Sequence, residues 1–320
     1  MPAPDDVYLS LVVTTRNDDH GGNMLERMQV FLDLLAAQTH RTGARLELIV
    51  VEWNPPPDSP SVADALRWPE GTPLRCRVIT VPGNLHRRFE NSERIRLFQM
   101  IAKNVGLRRA RGRFILATNI DVLFSDELVF LFSRENLDPE CVYRLDRFDV
   151  PSDLAARRVP PEEVLEYCRR HVIRVHRREQ RPIHTNACGD FTLMAKEKWL
   201  GLMGYPELPL WSIYLDSILL VGAVAGGLKE VVLGPPYRMY HIDHDLGWAV
   251  TQDPALRLPC LDFQRHCLPW WELMLKIGAY LNTNTVAWGL AGESLEEIDP
   301  AGALPPRSGW LEKTARPGRP

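Results

Sequence analysis

AKNVGLRRARGRFILATNID, residues Ala102–Asp121, decides the fold class. It begins inside a helical pattern, Glu93–Ala110, with Ile95, Phe98, Ile101, Ala102 and Val105 on one side. Gly112 ends that helix, and Arg113–Ala117 (RFILA) reads as a buried strand. Asn119 and Asp121 then follow two apart. In extended backbone, residues i and i+2 face the same way, so two oxygen-bearing side chains can approach one point. A carboxylate there suits Mg²⁺ or Mn²⁺, which take hard oxygen ligands and phosphate oxygens.

The same alternation runs outward. Tyr8–Thr14 (YLSLVVT) is a buried strand, followed by the polar loop Thr15–Asn23. Met24, Leu25, Met28, Phe31, Leu32 and Leu35 recur at helical spacing, with Asn23 placed to cap and Glu26 where a capping-box acid belongs. Leu46–Val51 (LELIVV) and Arg77–Val81 are further strands, and Ser125 caps another helix. Strands alternating with helices imply a mainly parallel sheet covered on both faces. The second half is less regular. Helices are expected over Pro161–Arg178, Ile213–Ala225 and Leu268–Leu281, and strands over Phe191–Ala195 and Lys229–Leu233. Three regions are expected: a regular α/β half over 1–135, a less regular half over 136–298 that ends in helices, and a disordered Pro/Gly/Arg-rich tail over 299–320.

Composition excludes little but points one way. The chain has 320 residues, 45% hydrophobic and 25% charged, with a formal net charge of -3. That is ordinary for a globular protein and lacks the basic footprint of a nucleic-acid binder. The six cysteines are scattered with no CxxC pair, which reads as reduced thiols in a cytoplasmic protein. The N-terminus has no signal-peptide pattern. The longest apolar run, near Ile218–Gly227, is about half the ~20 residues a spanning helix needs. Residues Arg157–Arg181 hold eight arginines against four glutamates. That run and the pair Trp270-Trp271 leave room for peripheral contact with an anionic membrane, beside the blander readings of a solvated face and packed core.

In parallel α/β sheets, ligands bind beyond the carboxyl ends of the strands. Three loops there are polar: Thr15-Arg16-Asn17-Asp18, Glu52-Trp53-Asn54 and Thr118-Asn119-Ile120-Asp121. Neither GxGxxG nor GxxxxGK[ST] occurs, which argues against a dinucleotide oxidoreductase and a P-loop ATPase.

Over residues 7–250 the chain resembles the GT-A glycosyltransferases, in particular the family 2-like group. Four stretches carry the resemblance: VVTTRNDD (Val12–Asp19), the passage Ala102–Asp121, ACGDFTLMAKEKWLGLMGYPE (Ala187–Glu207) and YLDSILLVGAVAGG (Tyr214–Gly227). The resemblance implies a Rossmann-like nucleotide-binding half merged with a smaller mixed α/β acceptor half. It implies sugar transfer from a nucleotide-sugar donor, UDP favoured, to a hydroxyl of a glycan or glycoconjugate, as in polysaccharide biosynthesis. By it, Thr15, Arg16, Asn17 and Asp18 hold the nucleotide, Glu52 contacts the base, and Lys103 and Asn104 lie near the donor. Asn119 and Asp121 form the metal motif, and His241 or His244 of YHIDH (Tyr240–His244) completes it. Asp216 is the general base of an inverting transfer and Asp190 a second catalytic or sugar-contacting candidate. Trp211 and Tyr214 can stack on a sugar ring or pack in the core. The chain departs from the family pattern at Asn119, where an aspartate is usual, at Glu52, which replaces the shorter acid, and at Leu215, where many relatives carry Glu. Asn119 and the missing Glu before Asp216 favour one alternative, a non-catalytic sugar-nucleotide-binding protein on the same fold; the other is a sugar nucleotidyltransferase, whose usual Gly-rich, Lys/Arg-bearing first loop TRNDDHGGN (Thr15–Asn23) matches poorly.

Overall fold

The computed structural model describes residues 7–179, 182–244 and 258–301. The architecture is mixed α/β, with a large, mostly parallel sheet as expected. Its strands are β1 (Leu9–Thr15), β2 (Leu46–Trp53), β3 (Arg75–Val81), β4 (Phe114–Ala117), β6 (Cys141–Leu145), β9 (Thr192–Ala195), β10 (Lys229–Leu233) and β12 (Glu296–Ile298). They lie in the order β10-β6-β9-β4-β1-β2-β3-β12. β3, β2, β1 and β4 are mutually parallel, and β9 and β12 run antiparallel to their neighbours. A smaller mixed sheet has the order β5-β11-β7-β8, with β5 Val122–Phe124, β7 Arg147–Val150, β8 Arg174–His176 and β11 Met239–Ile242.

β1 and β2 are buried at every position, which is why they read as continuous apolar runs. Alternate side chains serve two cores. Leu9, Leu11 and Val13 face helix α1 (Met24–Thr42), while Val12, Ile49 and Val51 face helix α4 (Gln99–Arg109). The other helices are α2 (Val62–Ala65), α3 (Gly83–His86), α5 (Asp126–Ser133), α6 (Pro161–Arg170), α7 (Lys196–Leu202), α8 (Leu215–Ala225) and α9 (Leu268–Ile277).

Several boundaries differ from the sequence expectation, each for a local reason. The helix expected over Glu93–Ala110 starts only at Gln99. Asn91 has φ +60°, and Phe98 leaves the helical region to pack its ring 5.6 Å from Phe89 and 5.2 Å from His86. The helix expected over Pro161–Arg178 stops at Arg170, because the chain at Val172, Ile173 and Val175, all β-branched, turns into β8, and Ile173 N–H donates to Asp149 O at 2.8 Å. The helix expected over Ile213–Ala225 starts at Leu215, since Tyr214 has φ +68°. The one expected over Leu268–Leu281 ends at Ile277, with Gly278 as its left-handed cap. Asn23 is left-handed and caps nothing. The cap is Asp19, whose Oδ1 accepts from Met24 N–H at 3.1 Å. Ser125 caps α5 as expected, accepting from Leu128 N–H at 3.3 Å.

The main sheet draws strands from both sides of residue 135, and β12 comes from the far C-terminal end of the described chain. Of the tail expected over 299–320, residues 302–320 lie outside the described residues, as do Arg181 of the arginine-rich run and 245–250 of the resembling span. All six cysteines are free. Among the described residues no helix is long and apolar enough to cross a membrane. Trp271 is buried against Phe263, and Trp270 donates Nε1–H to Leu281 O at 3.0 Å, so this pair is turned into the protein.

Gly106 sets how closely α4 can approach the sheet. A Cβ there would meet Val12 Cγ1 at 2.5 Å and Val51 Cγ2 at 3.1 Å. Neither valine can rotate away cheaply, because β-branched side chains are stiff. Gly106→Ala should therefore destabilise the protein by about 1–3 kcal/mol despite alanine's better helix propensity. Urea unfolding checks this, and a stabilised variant would mean the approach is looser than described.

Candidate functional site

The carboxyl ends of β2 and β4 flank that of β1, and in open α/β sheets ligands bind beyond such ends. Thr15 is in register with Glu52, and Glu52 with Thr80. Among the described residues, the buried polar atoms Thr14 Oγ1, Asp18 Oδ1, Glu52 Oε2 and Thr118 Oγ1 have no hydrogen-bond partner there. Buried polar groups are normally paired, so several orphans at adjoining strand ends mark a surface built to meet a polar ligand. The first loop is braced rather than free. Arg16 donates Nε–H to Asn54 O at 2.7 Å and pairs with Asp18, and Asn17 donates Nδ2–H to Pro60 O at 2.9 Å. Thr15 Oγ1 lies 3.4 Å from Met24 Sδ.

Glu52 is fully buried at the end of β2. Its Oε1 accepts from Val62 N–H at 3.0 Å, and Oε2 stays bare. Burial pushes its carboxyl up to about 7.

Asp121 is 3% exposed, just beyond β4. Three cationic or potentially cationic side chains converge on it. Arg27 Nη1 pairs with Oδ2, His244 Nε2 lies 3.2 Å from Oδ2, and His241 Nε2 lies 4.0 Å from Oδ1. Burial opposes ionisation, but His244, His241 and Arg27 outweigh it and hold the carboxyl well below the usual range. Donor atoms of Asp121, His241 and His244 all lie within 4.8 Å of one another, and His244 Nδ1 is buried without a partner. One carboxylate and two imidazoles fit a divalent ion, and the imidazoles favour a transition ion such as Mn²⁺ over Mg²⁺. Arg27 also donates to the carbonyls of His20 and Gly22, so it ties the first loop to Asp121.

A second group of charges lies alongside. Asp190 is clamped: Asn119 donates Nδ2–H to its Oδ1, and Arg147 donates Nη1–H to its Oδ2 at 2.7 Å. Burial would raise its pKa, but Arg147, His241 and Lys103 hold it below the usual value. Asn119 Oδ1 accepts from Gln99 Nε2–H at 3.0 Å, so both ends of this amide are engaged within the protein. Lys103 is fully buried and donates Nζ–H to Gly189 O at 2.6 Å. Burial lowers its ammonium to about 8. Asp216, second residue of α8, accepts from Ser217 N–H at 2.8 Å and has no ion pair within contact distance among the described residues. Burial raises its pKa, against weaker opposition from Cys188 and Lys103. Gly189 leaves room for it, since a Cβ there would come within 2.9 Å of Asp216 Oδ2.

Three sequence candidates stand apart. Asn104 is fully buried and spends its amide on Tyr205 N–H, Tyr205 O and Glu207. It staples α4 to the 205–207 turn. Tyr214 packs 5.4 Å from Phe263, and Trp211 N–H donates to Pro259 O, so both brace the C-terminal segment. Conversely, Arg27, Arg147 and Asp149 were not singled out in the sequence. Arg27 carried a signal: it lies three residues from Met24 and four from Phe31, on the buried stripe of α1.

Scanned against protein-family models the chain matches none, and no curated protein matches it. Among solved structures it is similar to Staphylococcus aureus TarS 1-349 in complex with UDP-GlcNAc, at 15% identity and a TM-score of 0.43, over 75% of this chain and 60% of that one. It is also similar to the catalytic domain of Drosophila β1,4-galactosyltransferase 7 in complex with xylobiose, at 13% identity and a TM-score of 0.41, over 81% and 79% of the two chains. The chain thus spans about 60% of the TarS 1-349 length. Likeness at this level does not carry an activity across, and function has to be argued from the site.

Glu52 gives this site a pH signature. Its folded pKa of about 7 stands above the ordinary 4.5, so between those values the folded state holds a proton that the unfolded chain has lost. Stability contributed by Glu52 is complete below about 4.5 and is lost as pH rises through 7. Relative to Glu52→Gln, the wild type should lose on the order of 2 kcal/mol across that window. Urea melts at a series of pH values measure this, and parallel curves for the two proteins would contradict it.

Proposed function

We propose that this chain is a metal-dependent glycosyltransferase of GT-A architecture, moving a sugar from a nucleotide-sugar donor to a hydroxyl acceptor with inversion. The observation that carries the reading is the contrast between its two neighbouring acids. Asp190 is locked by Arg147 and Asn119 and is kept ionised. Asp216 has no ion pair at contact distance and its pKa is raised. Environments that push two carboxyls apart separate a structural acid from a proton acceptor.

A sugar hydroxyl is a poor nucleophile, so a carboxylate must take its proton as it attacks. In this reading Asp216 takes the acceptor O–H proton while the acceptor oxygen bonds the anomeric carbon. The bond from that carbon to the diphosphate oxygen breaks, and the leaving nucleoside diphosphate keeps the electron pair. A divalent ion, held by Asp121 with His241 or His244, supplies charge stabilisation for that leaving group. Asp190 and Arg147 shape the donor-sugar side, and Lys103 holds the Gly189 backbone that adjoins Asp216. Glu52 supports a uracil donor. With one oxygen on Val62 N–H, only one is free, which suits uracil, whose edge offers a single N–H donor, better than guanine, which adds an amino group beside its ring N–H.

A second reading has its own observation. Arg27 already pairs with Asp121, so it can serve as the resident cation of a metal-independent nucleotide site. Calorimetric titration of UDP and GDP, with and without Mn²⁺, into wild type and Asp121→Ala separates the two. The metal reading expects UDP to bind at least about tenfold tighter with Mn²⁺, an advantage lost in Asp121→Ala and absent for GDP. UDP binding indifferent to Mn²⁺ would transfer the role to Arg27, and no binding of either nucleotide would sink the proposal.

The base assignment is tested separately. Asp216→Asn should lower UDP-sugar turnover roughly 10²-fold or more while leaving UDP affinity and thermal unfolding unchanged. Turnover at the wild-type rate would remove Asp216 from the chemistry.

A further inference from the structure

His241 stands between two carboxylates, one at each ring nitrogen. Nδ1 is 3.2 Å from Asp149 Oδ1, and Nε2 is 4.0 Å from Asp121 Oδ1. Strand register builds this arrangement. β11 sets His241 opposite Asp149 of β7 on one side and opposite Val122 of β5 on the other, the residue that follows Asp121. Ile242 N–H also donates to Asp121 O at 3.0 Å, which fixes the strand to the metal-side loop.

Among the described residues, two groupings bring donor atoms close enough to hold an ion: Asp121-His241-His244 and Asp149-His241-Asp243. The second is already filled by the protein's own donors. Asp149 is fully buried and faces Arg147 Nε at 2.9 Å, His176 Nε2 at 2.8 Å and Arg174 Nη1 at 3.6 Å. Its oxygens have nothing left for a metal. A carboxylate so surrounded is ionised and can only accept, so His241 Nδ1 must be the donor. A neutral imidazole with its proton on Nδ1 has a bare lone pair on Nε2, and that nitrogen faces Asp121.

We propose that Asp149 is a positioning residue: it holds His241 in the Nδ1–H tautomer and thereby makes Nε2 the histidine ligand of a divalent transition ion at Asp121. This rests on the reading of Asp121 as a metal-binding residue. The principle is general. A ligating imidazole usually donates its other N–H to an outer carboxylate, which orients the ring and raises its basicity. Asp149 touches neither donor nor acceptor in this arrangement. Its side chain acts through His241, and Arg147, His176 and Arg174 serve to keep it charged and in place.

The test is Mn²⁺ binding followed by electron paramagnetic resonance in wild type, Asp149→Asn, His241→Gln and the double variant. Asp149→Asn should weaken Mn²⁺ roughly 10- to 100-fold. It should weaken nothing further when His241→Gln is already present, because both changes disable the same ligand. A residue that merely supports the fold would give additive losses instead. A second measurement needs no change at Asp149. Imidazole ¹⁵N spectra of the wild type without metal, on the alkaline side of neutrality, should show His241 protonated on Nδ1 and bare on Nε2. His241→Gln assigns the signal. If Asp149→Asn fails to fold, this spectrum decides, and a proton on Nε2 overturns the inference. Folded Asp149→Asn with unchanged Mn²⁺ affinity overturns it alone. A wild type that binds no Mn²⁺ overturns it together with the metal reading.

Discussion

A charged carboxylate buried as deeply as Asp121 is tolerable only with partners, because desolvating an unpaired ion costs several kcal/mol. Here the partners come from distant parts of the chain: Arg27 from α1, and His241 and His244 from β11 and the residues after it. The demand of one side chain therefore pins a helix of the large sheet and a strand of the small one to the same point. Arg27 extends the tie to the carbonyls of His20 and Gly22, so the loop after β1 is set by the same charge. The two sheets share one apolar core, and the electrostatic requirement of Asp121 adds a polar tie between them where chemistry is proposed to occur.

Around that point, one residue type serves several ends. Glu52 is raised by burial with a single hydrogen bond against it. Asp149 and Asp190 are held low by cations, and Asp216 is raised with none in contact. None of these differences follows from the residue's identity. They come from how many donors each carboxylate meets and how little water reaches it. Arg147 is central, since it pairs with Asp190 and Asp149 at once and so couples the Asn119–Asp190 cluster to the support behind His241.

What the sequence revealed follows a physical line. YLSLVVT and LELIVV were legible to within two residues of β1 and β2, because strands buried on both faces read as unbroken apolar runs, and such strands place the polar loops at their ends. Asn119 and Asp121 were legible by spacing, although the structure engages Asn119 with Gln99 and Asp190. Helix ends were misplaced where aromatic packing at Phe98, or edge pairing after Arg170, overrode an apolar period. Asp149 and Arg147 were beyond reach for a different reason. β7 is four residues long, and its importance comes from register with β11, about ninety positions later. No local period encodes such a pairing. Asn104 shows the converse hazard, since it matches a family motif yet lies fully buried against the backbone of Tyr205.

β12 is only three residues long, but it runs antiparallel along β3 and supplies the final strand of the large sheet. Glu297 from it also reaches Arg77 on β3 at 2.6 Å. Without that strip, β3 would present a row of unsatisfied amide and carbonyl groups to solvent, the kind of border on which foreign chains assemble. The N-terminal strands thus take their selvage from a segment more than two hundred residues away in the chain. During synthesis that border stays open until Glu296–Ile298 have emerged. A fragment ending before Glu296 would carry the cleft intact and an adhesive margin beside it.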